Sequence, residues 1–112
     1  MKIFFYLMAA MIVLGCMSSD VFAAGDAKKG KALFIDPKAF GGARACSACH
    51  PDGSGLENAA GKKVFHVAGG TQQTLEEAVN ACIVNAGEGK AIDVNSGQMK
   101  DIVAYITSLK KK

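Results

Sequence analysis

The sequence predicts a small all-α domain, because its clearest regular patterns are helical. Three segments, beginning near residues 26, 74 and 96, combine a capping residue with apolar positions at helical spacing. The stretch 41–70 between the first two segments is rich in glycine, which is typical of loops. No stretch alternates apolar and polar residues for long enough to predict a β-sheet.

The first 23 residues are predicted to be a secretory signal peptide. They contain Lys2, an uncharged apolar run over residues 3–17, and the residues Val21 and Ala23, which fit a cleavage site. The apolar run is shorter than the roughly 20 residues that a membrane-spanning helix needs. We therefore expect a periplasmic mature chain of one domain, residues 24–112, without a transmembrane segment.

A second processing signal overlaps this leader. The letters VLGC end at Cys16 and are close to a lipoprotein signal, which would make Cys16 a lipidated first residue. The residues upstream of Cys16 fit that signal imperfectly, and the other cleavage site lies just downstream. Cleavage after Ala23 is therefore the preferred prediction, and a lipid anchor at Cys16 stays as its alternative.

The first predicted helix lies in GDAKKGKALFI. Asp26 is a suitable N-cap, Leu33 and Phe34 give the segment an apolar side, and Pro37 ends it because proline cannot continue a helix.

Residues 46–50 have the sequence CSACH, which is typical of covalent haem attachment. In such a site two thiols form thioether bonds to the haem vinyl groups, and the adjacent imidazole binds the iron from one face. Cys46 and Cys49 are therefore the predicted anchors of one covalent haem c, and His50 is its predicted proximal ligand.

Two other uses of this motif fit the sequence less well. A structural zinc site needs four ligands, commonly in two pairs, and the chain offers one pair and scattered single residues. A thioredoxin-like dithiol needs a βαβ context, which the helical pattern does not supply.

The second predicted helix lies in TLEEAVNACIVNAG. Thr74 and Glu77 form a capping box, and Gly87 ends the segment. Its apolar positions recur at helical spacing: Leu75, Ala78, Val79, Cys82, Ile83 and Ala86. Cys82 therefore lies on the inward side of this helix.

The third predicted helix lies in SGQMKDIVAYITSLKKK, with Ser96 as its cap. One side of it is apolar, and its three final lysines suit a helix carboxyl end. The apolar positions are Met99, Ile102, Val103, Ile106 and Leu109.

The mature chain is small enough to need help from a cofactor. Chains of this size bury only about 60% of the surface that they expose when unfolded, and a covalent or metal link often stabilises them. After residue 24 the chain has three cysteines, an odd number in a compartment that favours disulfides. Either one thiol stays free or the cysteines serve another purpose.

The mature sequence resembles the class I cytochromes c over nearly its whole length. The resemblance rests on GDAKKGKALF, on CSACH shortly after it, and on MKDIVAYITSL as the last helix. It implies a single-domain cytochrome c fold with three or more helices around one covalently bound haem. It also implies that the first and last helices cross, so that Gly30 and Phe34 meet the region of Ala104 and Tyr105.

The resemblance leaves the sixth iron ligand open. In that family it is usually a methionine in the loop before the last helix, which here would fall near GKAIDVNS, and no methionine is there. Met99 follows inside the predicted helix, where its spacing fits a core role better. His66 lies in a predicted loop and fits a surface position or a neighbour of the haem propionates better.

Cys82 is the first candidate for that ligand. The sequence from Thr74 to Leu109 is similar to haem domains of thiosulfate dehydrogenases and, more distantly, of the Sox thiosulfate-oxidation cytochromes, in which a cysteine on the penultimate helix ligates the iron. The matching positions are Asn80, Cys82, Gly89, Ser96, Met99, Ala104 and Tyr105. Met99 is the second candidate, and the alternative for Cys82 is an inert buried thiol.

These features predict an electron-transfer protein without a substrate of its own. The alternative is a haem subunit of a thiosulfate-oxidising enzyme with a thiolate-ligated iron, which would need a partner because the chain has one haem motif. A haem sensor with an open sixth position is a third hypothesis.

The charge of the chain indicates little about its partners. The formal net charge is +3. The lysines form either a solvated surface or a basic rim for acidic redox partner proteins, and they include Lys28, Lys29, Lys31, Lys62, Lys63 and Lys110 to Lys112. Nothing in the sequence indicates nucleic-acid binding.

Overall fold

The computed structural model describes residues 25–110. The predicted signal peptide, the alternative lipidation site Cys16 and the last two lysines lie outside these described residues. Three α-helices are present, as the sequence predicted: α1 (Ala27–Ile35), α2 (Leu75–Ala81) and α3 (Gly97–Ser108).

Each helix begins at the predicted cap. The Asp26 carboxylate accepts hydrogen bonds from two backbone amides of the first turn of α1. The Thr74 hydroxyl accepts one from the amide of Glu77 at 3.1 Å, and the Ser96 hydroxyl accepts one from the amide of Met99 at 3.2 Å. These bonds satisfy amides that have no partner within the helix.

The second helix changes its geometry before it ends. After Ala81 the chain continues as a wider π-helical turn, Cys82–Ala86, and it leaves the helix at Gly87. The predicted end is therefore confirmed, but its last part is not α-helical. Single π turns of this kind occur frequently at functional sites.

A small β-hairpin corrects the expectation of a purely helical domain. Strands β1 (Phe65–Val67) and β2 (Gly70–Gln72) pair antiparallel, with His66 opposite Thr71. Each strand has three residues, too few to show the alternation by which strands are recognised in a sequence. Gly69 and Gly70 have φ angles of +98° and +124°, which glycine adopts readily and which allow the tight turn.

The rest of the glycine-rich stretch is loop with three short 3₁₀ turns. These are Cys46–Ala48, Pro51–Gly53 and Ala59–Gly61. The first of them contains the start of the CSACH motif.

The first and last helices cross in close contact, as the resemblance implied. A side chain on Gly30 would overlap the backbone carbonyl of Asp101, so the lack of one allows the approach. The rings of Phe34 and Tyr105 pack edge to face, with 5.1 Å between their centres. The backbone amide of Asp26 also donates to the Asp101 carboxylate at 2.8 Å, across 75 positions of sequence.

The buried core lies between these helices, α2 and the hairpin. Phe34, Met99 and Ile102 are its most completely buried large side chains. The other members of this core are Ala59, Phe65, Ala78, Val79, Ile83, Tyr105 and Ile106.

Candidate haem-binding site

The CSACH motif forms a tight turn beside a cavity. The backbone amides of Cys49 and His50 both donate to the carbonyl oxygen of Cys46, at 3.3 and 3.0 Å. Cys46 and His50 are half-buried and Cys49 is exposed, and all three line the same cavity. The turn therefore brings the three predicted haem residues to one wall.

The imidazole of His50 is held in one tautomer. Its Nδ1 lies 2.9 Å from the backbone carbonyl oxygen of Ser54. A carbonyl oxygen only accepts hydrogen bonds, so Nδ1 carries the proton and the lone pair of neutral histidine is on Nε2. Metal-binding histidines are commonly oriented in this way, since the second nitrogen donates to a carbonyl or a carboxylate.

Cys82 lines the same cavity as the motif. It is half-buried and is the first residue of the π turn, and the cavity wall also includes Cys46, Cys49 and His50. Cys46, Cys49 and Cys82 are all free thiols. The fold therefore brings the third cysteine to the haem motif across more than 30 positions of sequence.

The environment of Cys46 and Cys82 favours the protonated form of both thiols when nothing is bound to them. Burial, together with the nearby Cys82, raises the pKa of Cys46 to about 11. Burial, together with the nearby Cys49, also raises the pKa of Cys82. A metal ion that binds a thiol reverses this preference, because coordination stabilises the thiolate and releases the proton.

A larger cavity adjoins the first and shares Cys46, His50 and Cys82 with it. Its volume is about 410 Å³, within the range of small-molecule and cofactor pockets. Its wall is largely apolar, with Phe34, Leu56, Ala59, Phe65, Val67, Leu75, Ala78, Val79, Ile102 and Ile106. Side chains from all three helices, the loop and the hairpin therefore surround this space.

Comparison with known protein families matches residues 29–111 to the family described as SoxA/TsdA, cytochrome c domain. The chain belongs to this family. The match confirms the predicted resemblance to haem domains of thiosulfate dehydrogenases, and it supports a haem electron-transfer role with covalently bound haem c. No curated protein matches the chain, and neither does any solved structure.

The cavity of this SoxA/TsdA-type domain fits a haem in its chemistry. Residues 25–110 contain no group of three or more histidines, cysteines or carboxylates placed to hold a metal ion by themselves. Haem iron needs only two ligands from the protein, since the porphyrin supplies four. His50 with its free Nε2, the thiol of Cys82 on the same wall, the two thiols of the motif and an apolar wall fit such a group.

The two predicted candidates for the sixth ligand, Cys82 and Met99, line different cavities. Met99 is fully buried in the first turn of α3. It lines neither cavity at the motif, but a separate groove with Val94 and Val103. Only Cys82 of the two shares a cavity wall with His50.

His66 lies at the edge of the site. It is exposed on β1 and lines the larger cavity. Its Nδ1 is 3.4 Å from the hydroxyl of Thr71 on the paired strand. The hairpin that the sequence did not predict therefore places this imidazole beside the apolar wall.

Two asparagines of the second helix support the site, and sequence reasoning gave neither of them a role. Asn80 donates to the carbonyl of Ile92 at 2.7 Å and accepts from its amide at 2.9 Å, which fixes the segment before α3. Asn85 donates to the carbonyls of Ala81 and Ala68, which ties the π turn to the hairpin. Amide side chains among the apolar positions of this helix were the available signal, because such side chains seek backbone partners.

No helix among residues 25–110 is both long and apolar enough to cross a membrane.

Proposed function

We propose that this cytochrome c domain is a periplasmic electron carrier that holds one electron on a single haem c. Cys46 and Cys49 anchor the haem, His50 is the proximal ligand, and Cys82 is the sixth ligand. The observation that carries the proposal is the shared cavity wall of Cys82 and His50.

The bound haem supplies one-electron chemistry, because its iron alternates between the ferric and ferrous states. Within the chain, the Ser54 carbonyl holds the proton of His50 on Nδ1 and so keeps Nε2 available as a ligand. Cys82 gives up its proton when it binds as a thiolate. The apolar wall limits water at the site, which influences the reduction potential.

A thiolate at the sixth position determines the kind of carrier. It adds electron density to the iron and favours the ferric state, so the reduction potential is lower than with a histidine and methionine pair. The proposed protein therefore exchanges electrons with low-potential partners.

A second candidate function is a haem subunit of a thiosulfate-oxidising enzyme. The family match favours it, because the family name refers to SoxA and TsdA domains. Under this hypothesis Cys82 lies at the reactive side of the iron. The chain has one haem motif, so a partner subunit would supply the remaining redox centre.

The sixth ligand is tested by electron paramagnetic resonance of the ferric protein at low temperature. We compare the wild type with Cys82→Ala and with Met99→Leu, a control that keeps the volume of the buried methionine. Cys82→Ala is expected to lose the low-spin thiolate signal, and Met99→Leu is expected to keep it. An unchanged low-spin signal in Cys82→Ala would show that Cys82 is not the ligand.

A turnover assay separates the two functions. The carrier hypothesis predicts reversible oxidation and reduction of the haem without consumption of thiosulfate by the isolated protein. Measurable consumption of thiosulfate would favour the enzyme subunit instead.

A further inference from the structure

The larger cavity has two ionisable residues that the haem motif and the candidate ligands do not use. Among the residues on its wall, Lys62 and His66 are the ionisable side chains besides Cys46, His50 and Cys82. Both are exposed at the surface. The remainder of the wall is mostly apolar, so Lys62 adds a positive charge and both residues add hydrogen-bond donors to it.

Neither group has its charge or donor satisfied by a neighbouring carboxylate. Within residues 25–110 the Lys62 ammonium forms no ion pair, and the backbone amide is the part of Lys62 that is bonded, to the carbonyl of Ala59. His66 contacts the Thr71 hydroxyl through Nδ1, which leaves Nε2 without a partner in the described part of the chain. Both side chains are therefore available to an anion in the cavity.

The two cavities differ in which thiols they contain. Cys49 lines the smaller one, together with Arg44, and is absent from the wall of the larger one, where Lys62 and His66 lie. Cys46 lines both cavities, so the part of the joint space that Lys62 and His66 line contains one anchor thiol and lacks the other.

Haem chemistry relates the two anchor thiols to Lys62 and His66. The vinyl groups that form thioethers and the two propionate groups occupy opposite edges of the porphyrin. If Cys46 and Cys49 held the vinyl edge, the propionates would be directed away from both thiols. A carboxylate beside an apolar wall is costly unless a cation or a donor pairs with it.

We propose that Lys62 and His66 form the binding site for the haem propionates. This inference rests on the proposed haem attachment at Cys46 and Cys49. It gives a role to the hairpin, which places His66 at the cavity, and to the loop that precedes it, which contains Lys62.

The test compares neighbouring lysines in the haem-loaded protein. Lys62→Ala and Lys63→Ala remove the same charge from adjacent exposed positions, but Lys63 is not part of the cavity wall. The measurements are the propionate bending bands in the resonance Raman spectrum and the reduction potential at low and high salt. Circular dichroism confirms that each variant is folded.

Lys62→Ala is expected to shift the propionate bands and to lower the reduction potential, because a cation beside the haem stabilises the ferrous state. This difference should persist at high salt, since a direct ion pair is screened less than a distant surface charge. His66→Ala should shift the bands as well, and Lys63→Ala should leave them in place. Equal effects of Lys62→Ala and Lys63→Ala, or unchanged bands in Lys62→Ala and His66→Ala, would overturn the proposal.

Two further measurements distinguish propionate binding from a bound free oxyanion and from a protein without attached haem. Exchange of chloride for sulfate at constant ionic strength should leave the wild-type potential unchanged, and a potential that depends on the anion would mean that a free oxyanion occupies the pair. A wild-type protein without covalent haem would overturn the proposed function itself and this inference with it. If haem is attached but the propionate bands do not shift in Lys62→Ala and His66→Ala, this inference is wrong and the proposed function is unaffected.

Discussion

Gly55 lies beside the His50 imidazole in a backbone conformation that favours glycine. Its φ angle is +92°, and a β-carbon there would be 3.6 Å from His50 Nδ1, an ordinary contact distance. The expected cost of Gly55→Ala is therefore a backbone cost, about 1–3 kcal/mol of unfolding free energy. Urea unfolding followed by circular dichroism measures it.

Gly61→Ala is the matched control for this substitution. A β-carbon at Gly61 would have no neighbouring atom within 4 Å, and its backbone is outside the left-handed region. We expect a small change in stability. Equal losses in the two variants would contradict a special role of the Gly55 conformation.

The Cys46 thiol makes the stability of the haem-free protein depend on pH. Its pKa is raised to about 11 by burial and by the nearby Cys82, so between pH 9 and 11 the folded state binds more protons than the unfolded state. The contribution of the Cys46 thiol to the free energy of unfolding is fully present below pH 9 and is lost as the pH rises through 11. We expect the free energy of unfolding in urea to fall by roughly 1–2 kcal/mol over this interval.

Cys46→Ser is the control for this titration, because other groups also lose protons near pH 10. The variant should show a smaller fall over the same interval than the wild type. If the two proteins lose stability in parallel, the Cys46 thiol is not the group that titrates.

For single residues, the sequence predicted the types of side chain at the site better than it predicted their geometry. The spacing of CSACH was enough to predict haem roles for Cys46, Cys49 and His50, because that motif consists of adjacent side chains, and these roles stay predictions. The partner of His50 is the backbone carbonyl of Ser54, which has no signature in a sequence. Cys82 and Met99 both have the helical spacing that is typical of inward-facing residues. Which cavity each of them lines depends on how the helices pack.

Helix α1 packs against α3 through Gly30, whose missing side chain permits the contact. A β-carbon there would overlap the carbonyl of Asp101 and press on the β-carbon of Tyr105, and backbone atoms cannot move aside as a side-chain end can. We expect Gly30→Ala to cost about 3 kcal/mol or more, the upper part of the range for overpacking. Thermal unfolding of the haem-loaded protein measures the loss.

Gly97→Ala is the control, because it makes the same substitution at a position that no other helix or strand approaches. Gly97 is the first residue of α3 and a β-carbon there has open space. Alanine has the better helix propensity, so this variant should be neutral or more stable by up to about 1 kcal/mol. A Gly30→Ala protein as stable as Gly97→Ala would show that the helices do not approach so closely.

The elements that were predicted are those with local signals. Asp26, Thr74 and Ser96 cap their helices through bonds to residues two or three positions away, and such short-range patterns are visible in a sequence. The hairpin has strands of three residues, and its pairing partners carry no periodic pattern. In the π turn Cys82–Ala86, the side-chain amide of Asn85 donates to the carbonyl of Ala68, which lies outside the helix. No local sequence pattern therefore predicts this turn.

The polypeptide has a formal net charge of +3 before the charges of a bound haem are counted, and we expect its surface lysines to steer anionic redox partners towards it. Electron transfer to ferricyanide should slow at least about threefold between 0.01 and 0.15 M ionic strength, because the screening length falls from about 30 to 8 Å. Stopped-flow absorbance of the haem measures the rate. A cationic oxidant provides the control and should react faster as salt is added; the same dependence for both oxidants would exclude steering by net charge.

The bond from Asp26 to Asp101 and the crossing of α1 with α3 join the two ends of the described chain. The apolar side of α1 packs mainly on α3. Closing a connection of 75 positions carries an entropic cost that this packing offsets. Long-range contacts of this kind also slow folding. The CSACH motif lies between these two helices in the sequence, so we expect it to become enclosed only after α3 has packed on α1.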